Sequence, residues 1–425
     1  MGLIMKNSSR SFDPSAAQPG RAAGQVVMNV LLALSVCHCC NDALQAVVTS
    51  LYPMIKSDLG LNFVQIGVIT LIYQLSASVL QPLMGIYLDR HPDPRSLTVA
   101  ACFTFAGLTC LAFASRLGWV VLSVVLIGAG SSIIHPEASR LTNLASNGKR
   151  GLAQSIFQVG GNFGGSLGPL LAALVIAPYG RSHAALVALL ALAGVGASVP
   201  VARWYRKKLQ QAEASGTQPG ADRKPRARKG QADWIPRPLS DGKTYFALGI
   251  LLVLVFSKYI YMSSISSYYT FYLIEKFGMS VQHSQYALFV FFFATAVGTF
   301  TGGPLGDRYG RKYVIWISIL GTAPFSLAMP HAGLYGTVAL SFCVGFMLSS
   351  AFPAILIYAQ ELLPNRLGMV SGLFFGFSFG IAGIASAFWG GYADVHGIES
   401  VYNMSAWLPL LGLVTAFLPD IEKKR

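Results

Sequence analysis

Residues 36–45, VCHCCNDALQ, place three cysteines, a histidine and an aspartate in an otherwise apolar run. Metal, redox and proton chemistry all use these residue types, and spacing separates the three. Successive helical residues project about 100° apart, so Cys37, His38, Cys39 and Cys40 fan around an axis instead of closing on one zinc ion. Cys102 and Cys110 share one apolar segment, Cys343 stands in another, and all three read as small buried hydrophobes. His38, Asp42 and Gln45 recur at i, i+4 and i+7, which is one helical face. An acid beside an imidazole suits reversible proton binding, so proton coupling at Asp42, tuned by His38, is expected. No metal is expected there.

Two further apolar segments carry charge. SSIIHPEASR holds His135, Glu137 and Arg140, the last two at i, i+3 and able to pair. Pro136, immediately before Glu137, frees a backbone carbonyl. VFSKYIYMSS holds Lys258, whose ammonium requires a carboxylate or an anionic ligand in apolar surroundings. Tyr261 and Tyr268 follow it, and Gln154, Gln158 and Asn162 form a polar stripe elsewhere. The expected proton carriers are therefore Asp42, Glu137 and His38. Expected substrate contacts are Lys258, Arg140, Gln158, Asn162, Tyr261, Tyr268, Gln45 and His135. Structural alternatives stand beside these: a static Glu137–Arg140 pair, a fixed bridge from Lys258 to Asp42 or Glu137, and interhelical hydrogen bonds from the stripe.

Only a membrane makes such charges expensive enough to be informative. Of 425 residues, 11% are charged and 53% hydrophobic, and mean hydropathy is +0.54. Soluble proteins carry about 25% charged residues. Twelve apolar runs approach the roughly 20 residues that span hydrocarbon: 27–51, 63–88, 96–115, 120–146, 152–177, 183–204, 244–272, 282–305, 312–329, 333–360, 367–390 and 401–419. Continuous apolar character predicts helices rather than barrel strands. Asp42 and Glu137 then lie deep in the bilayer, where ionisable groups are functional candidates. The first 25 residues are polar, and no cleaved signal peptide is expected.

The net charge of +14 is a matter of orientation rather than of nucleic-acid binding. With a cytoplasmic N-terminus, all of the 31 lysines and arginines fall on the cytoplasmic side except Lys56, Arg116, Arg181, Lys276 and the intramembrane Lys258. That asymmetry orients both termini to the cytoplasm. Residues 205–243 are rich in Pro, Gly, Gln and charge and read as a cytoplasmic linker. The chain divides into a tail (1–25), a six-helix bundle (26–204), the linker, a second bundle (244–420) and a short tail (421–425). The bundles echo each other. Gly85, Asp89 and Arg90 recur as Gly303, Asp307 and Arg308, and Gly128, Ser131, Ser132 and Pro136 correspond to Gly345, Ser349, Ser350 and Pro353. Two repeats in the same orientation predict a site near midplane between them.

GGPLGDRYGRK (302–312) resembles the loop signature of the major facilitator superfamily, G-x-x-x-D-R-x-G-R-K, including Gly310 and Arg311. GIYLDRHPDPR keeps Gly85, Asp89 and Arg90 of that pattern and loses its second glycine. In GGNFGGSLGPLLAA (160–173), Gly164, Gly168 and Pro169 match the glycine–proline pattern of the superfamily's antiporters, while alanines replace the trailing glycines. LIYQLSASVLQP, GLAQSIFQVGGNFG and FSKYIYMSSISSYYTFYL are similar to segments of the superfamily's exporters of fosmidomycin-like phosphonates. The resemblance implies an all-α fold of twelve transmembrane helices in two pseudo-symmetric bundles. It also implies a bacterial inner-membrane exporter that moves an anionic antibiotic in exchange for protons by alternating access. Such a protein is not an enzyme, needs no cofactor beyond the proton gradient and works as a monomer. Uptake or exchange of an organic anion or organophosphate uses the same layout, and a non-transporting sensor is the remaining class. No phosphate-binding loop for ATP is present.

Overall fold

The computed structural model describes residues 27–147, 150–214, 240–363 and 367–421, and among them the chain is helical without strands. The first part contains α1 (Met28–Ser50), α2 (Tyr52–Leu59), α3 (Phe63–Arg90), α4 (Ser96–Ala112), α5 (Leu117–Ala145), α6 (Arg150–Leu171), α7 (Ala184–Ala188) and α8 (Leu190–Ala214). The second contains α9 (Asp241–Phe277), α10 (Val281–Tyr309), α11 (Arg311–Leu320), α12 (Ala323–Ala328), α13 (Leu334–Leu362), α14 (Leu367–His396) and α15 (Ile398–Ser405). Ten helical runs among the described residues are long and apolar enough to cross a membrane. Twelve were expected. Ser96–Ala112 is apolar but has 17 residues, short of the roughly 20 that span hydrocarbon. The first side chains of α14 lie outside the described residues.

Outward-facing Leu75, Val79, Leu186, Leu192 and Phe388 are exposed, a surface that hydrocarbon solvates and water does not. Local sequence sets the ends of the helices. Gly60 and Gly278 adopt left-handed conformations, with φ of 61° and 64°, and stop α2 and α9. Asn62 and Gln65 form a capping box at the start of α3. α8 continues through Ala214 and α9 begins at Asp241, so both ends of the expected linker are helical. The reason is compositional: KKLQQAEA consists of strong helix formers. Both tails, residues 215–239 and the side chain of Gln154 lie outside the described residues.

Helices from the two parts of the chain meet at the end that carries the α2–α3 and α9–α10 turns. Gly67 packs against the backbone of Ser386 and Ala387, and Gly390 against the carbonyl of Phe63. The Asp394 carboxylate accepts the N–H groups of Phe63 at 2.8 Å and Val64 at 2.7 Å, the first turn of α3. Gln285 donates to the Ser50 carbonyl at 2.9 Å and Gln282 to that of Ala173 at 3.0 Å. At the opposite end, Leu83, Ile86 and Tyr87 of α3 are exposed. Gly376 and Gly380 of α14 face open space. Contacts between the two parts of the chain close the molecule at the first of these ends.

Candidate functional site

Asp42 sits where α1, α5 and α6 converge. His38, one turn earlier, brings Nε2 to 3.1 Å from Oδ2, as the i, i+4 spacing predicted. His135 of α5 brings its own Nε2 to 3.5 Å from Oδ1, and Asn41 donates to Oδ1 at 3.0 Å. Each imidazole is anchored through its other nitrogen. His38 Nδ1 lies 3.0 Å from the Phe157 carbonyl. His135 Nδ1 lies 3.0 Å from the Ser131 carbonyl and 3.2 Å from the Ser131 hydroxyl. The three groups fall within 4.8 Å of one another. With each imidazole already facing its own carboxylate oxygen, the cluster is arranged to share protons.

Close approach of α6 makes this cluster possible. The His38 ring stacks on Phe157 with centroids 4.1 Å apart and lies over Gly161, where a Cβ would stand 2.2 Å from Cε1. Gly160 and Gly164 admit the Ser35 and Cys39 backbones in the same way. Gln45 accepts the Tyr73 hydroxyl at 2.5 Å and the Ser131 hydroxyl at 3.3 Å. Gln45 is thus tied to its neighbours, although its buried Nε2 has no partner among the described residues. Gln158 is exposed and Asn162 half-buried, and neither side chain hydrogen-bonds among the described residues.

Glu137 and Arg140 pair as their spacing predicted, through two bonds of 2.7 and 2.8 Å. Arg140 also donates to Tyr205 of α8 at 2.8 Å and lies 3.8 Å from Asp89. The loop aspartate therefore faces an arginine here, whereas Asp394 at the opposite end holds a helix N-terminus. Arg90 is exposed, and Gly85 lies beside Pro136. In the second repeat Gly310 turns the chain with φ of 96°. Arg311 pairs with Glu361 at 2.9 Å, and Arg308 lies over Tyr309. Gly303 lies within α10, and the side chain of Asp307 lies outside the described residues.

Lys258 is buried on α9, 4% exposed. Its ammonium lies 4.8 Å from the Tyr259 ring and 4.9 Å from the Phe352 ring of α13. Aromatic faces attract a cation, yet no carboxylate pairs with it among the described residues. No bridge to Asp42 or Glu137 is formed there. Tyr261 is fully buried with an unpartnered hydroxyl among the described residues. Tyr268, ten residues and about 15 Å along the helix, donates to the Ser386 carbonyl at 2.7 Å. It belongs to the closed end.

The sequence model of the Major Facilitator Superfamily matches residues 34–282 and 251–425. The chain belongs to the major facilitator superfamily. It is a multi-pass membrane transporter and not an enzyme. It is 52% identical over 422 residues to the fosmidomycin resistance protein of Escherichia coli K12, covering 99% of this chain and 100% of that one. An uncharacterized MFS-type transporter of Bacillus subtilis, YfnC, is 37% identical, with 95% of each chain covered. Among solved structures, a D-xylose-proton symporter superposes with a TM-score of 0.69 at 16% identity, covering 93% of this chain and 99% of that one, which shows the shared fold.

Within this transporter, sequence reasoning placed His135 among substrate contacts and did not join it to Asp42. Tyr73, Phe157, Gly161 and Asn41 were also missed. The glycines of α6 were the available signal: four, Gly160, Gly161, Gly164 and Gly168, lie where only a hydrogen fits against α1.

Proposed function

We propose that this chain exports fosmidomycin-like anionic phosphonates across the bacterial inner membrane in exchange for protons. Twelve spans in two six-helix bundles alternate access to a central site, both termini are cytoplasmic, and one monomer suffices. The closed end, which carries the α2–α3 and α9–α10 turns, is then periplasmic. One observation carries the reading: the buried cation and the proton-sharing cluster belong to different bundles. Lys258 lies against aromatic faces with no carboxylate partner among the described residues, and its charge attracts the anionic headgroup. The cluster around Asp42 exchanges the proton in the other bundle, and Glu137 with Arg140 couples it to movement. Arg140, Gln45, Gln158, Asn162 and Tyr261 extend the polar lining for the substrate. The 52% identity across the full length supports the phosphonate class. The proton gradient supplies the energy, without nucleotide, metal or resident cofactor.

The test is fosmidomycin movement in proteoliposomes under an imposed pH gradient, with wild-type protein and Lys258→Ala. Wild-type protein should accumulate the drug against its gradient and stop when the pH difference is collapsed. Lys258→Ala should purify as a folded protein and fail to transport. Transport indifferent to pH would instead indicate anion exchange, and a wild-type rate in Lys258→Ala would remove lysine from the site.

A further inference from the structure

The geometry points to His135, switched by the Ser131 hydroxyl, as the group that loads and releases the exchanged proton, while His38 and Asp42 keep theirs. This rests on the reading of the cluster as the proton site and changes which member cycles. The argument is a count of donors and acceptors. A carbonyl only accepts, so His38 Nδ1, 3.0 Å from the Phe157 carbonyl, carries a hydrogen. A neutral imidazole has one N–H, so neutral His38 would aim a lone pair at Asp42 Oδ2 across 3.1 Å. That repulsion is severe in a low-dielectric interior. A proton between Nε2 and Oδ2 removes it, and no other arrangement satisfies both ends. This proton is structural.

His135 differs because its Nδ1 has two partners. When protonated, Nδ1–H donates to the Ser131 carbonyl at 3.0 Å, Nε2–H faces Asp42, and the Ser131 hydroxyl donates to Gln45 Oε1 at 3.3 Å. When neutral, the Ser131 hydroxyl turns and donates to Nδ1 at 3.2 Å, while Nε2–H stays on Asp42. In the neutral state the turned hydroxyl offsets the opposition between the Nδ1 lone pair and the Ser131 carbonyl 3.0 Å away, so one rotation of a hydroxyl accompanies the release of one proton. The proton leaves Nδ1 for water and its electron pair remains on the nitrogen. His135 is also the most accessible of the three, with a side chain 27% exposed against 24% for Asp42 and 4% for His38. Among the described residues nothing else competes for the role nearby. Tyr73 of α3 engages Gln45, α6 contributes the Phe157 carbonyl and Gly161, and Thr104 of α4 faces Asn41. Cys39 flanks Asp42 on α1, and Glu137 on α5 is held by Arg140. No lysine or arginine pairs with Asp42 among the described residues.

The test is nitrogen-15 NMR of histidine-labelled full-length protein in detergent. Its seven histidines are assigned with His38→Gln and His135→Gln. One imidazole signal should change its protonation across the pH series and vanish in His135→Gln. Another should show hydrogens on both ring nitrogens and vanish in His38→Gln. Ser131→Ala removes the donor that satisfies neutral His135, so the proton affinity of His135 should rise about fivefold, the equivalent of one hydrogen bond. A His38 signal that titrates while His135 stays constant overturns the inference. So does an unchanged His135 titration in Ser131→Ala, which also decides the matter if a glutamine variant does not fold. None of these readouts requires a substrate. Protein that passes them and fails to move fosmidomycin refutes the proposed cargo and leaves the proton assignment standing.

Discussion

Replacing Asp394 with Asn should loosen the closed end of the transporter. The carboxylate accepts two N–H groups, 2.8 and 2.7 Å away, at the first turn of α3, and so ties α14 to α3 between the two parts of the chain. An exposed charge at a helix N-terminus contributes about 0.3–1 kcal/mol. Asn keeps one carbonyl acceptor, so one of the two bonds is lost as well, about 1 kcal/mol. The sum, about 1–2 kcal/mol, is roughly a five- to thirtyfold change in the opening equilibrium. Amide hydrogen exchange in lipid nanodiscs reads this directly at Phe63 and Val64. Gln65 is the internal control, because its N–H is held by Asn62 at 2.8 Å and not by Asp394. Asp394→Asn should speed exchange at the first two residues by that factor and leave Gln65 slow. Equal rates in wild type and variant at Phe63 and Val64 would refute the latch.

Gly161→Ala places a Cβ within 2.7 Å of three atoms of the His38 ring. It should cut pH-driven transport at least tenfold in folded protein, whereas Gly165→Ala, with nothing within 4 Å, should be silent. Glu137→Ala should lose the pH dependence of transport with little change in thermal midpoint, because Arg140 keeps Tyr205 and Asp89 as partners; a midpoint lowered by the equivalent of about 3 kcal/mol would mark a static pair instead. Changing Cys37, Cys39 and Cys40 together to Ala should leave transport largely intact in a proteoliposome assay, since all three are free thiols, and loss of activity would reopen a chemical role for them.

The sequence by itself determined the solvent, the helices and the local pairs. Hydrophobic runs of the right length dictate spans because a backbone in hydrocarbon must satisfy its own hydrogen bonds. Helical periodicity placed His38 one turn from Asp42 and Glu137 one turn from Arg140, and both contacts exist. These are short-range consequences of the 3.6-residue repeat. What lay between helices was decided by tertiary structure. His135 reaches Asp42 only because α5 and α1 cross at that height, and the Phe157 carbonyl meets His38 only because the α6 glycines let two backbones approach. Lys258 was legible as an intramembrane charge, but its aromatic neighbour Phe352 comes from a helix nearly a hundred residues away. Tyr268 shares a helix with Lys258 and yet serves the closed end, since its hydroxyl meets the backbone of α14 there. Periodicity specifies direction around one axis. The distance and rotation between axes come from packing of many small contacts, which no single segment encodes.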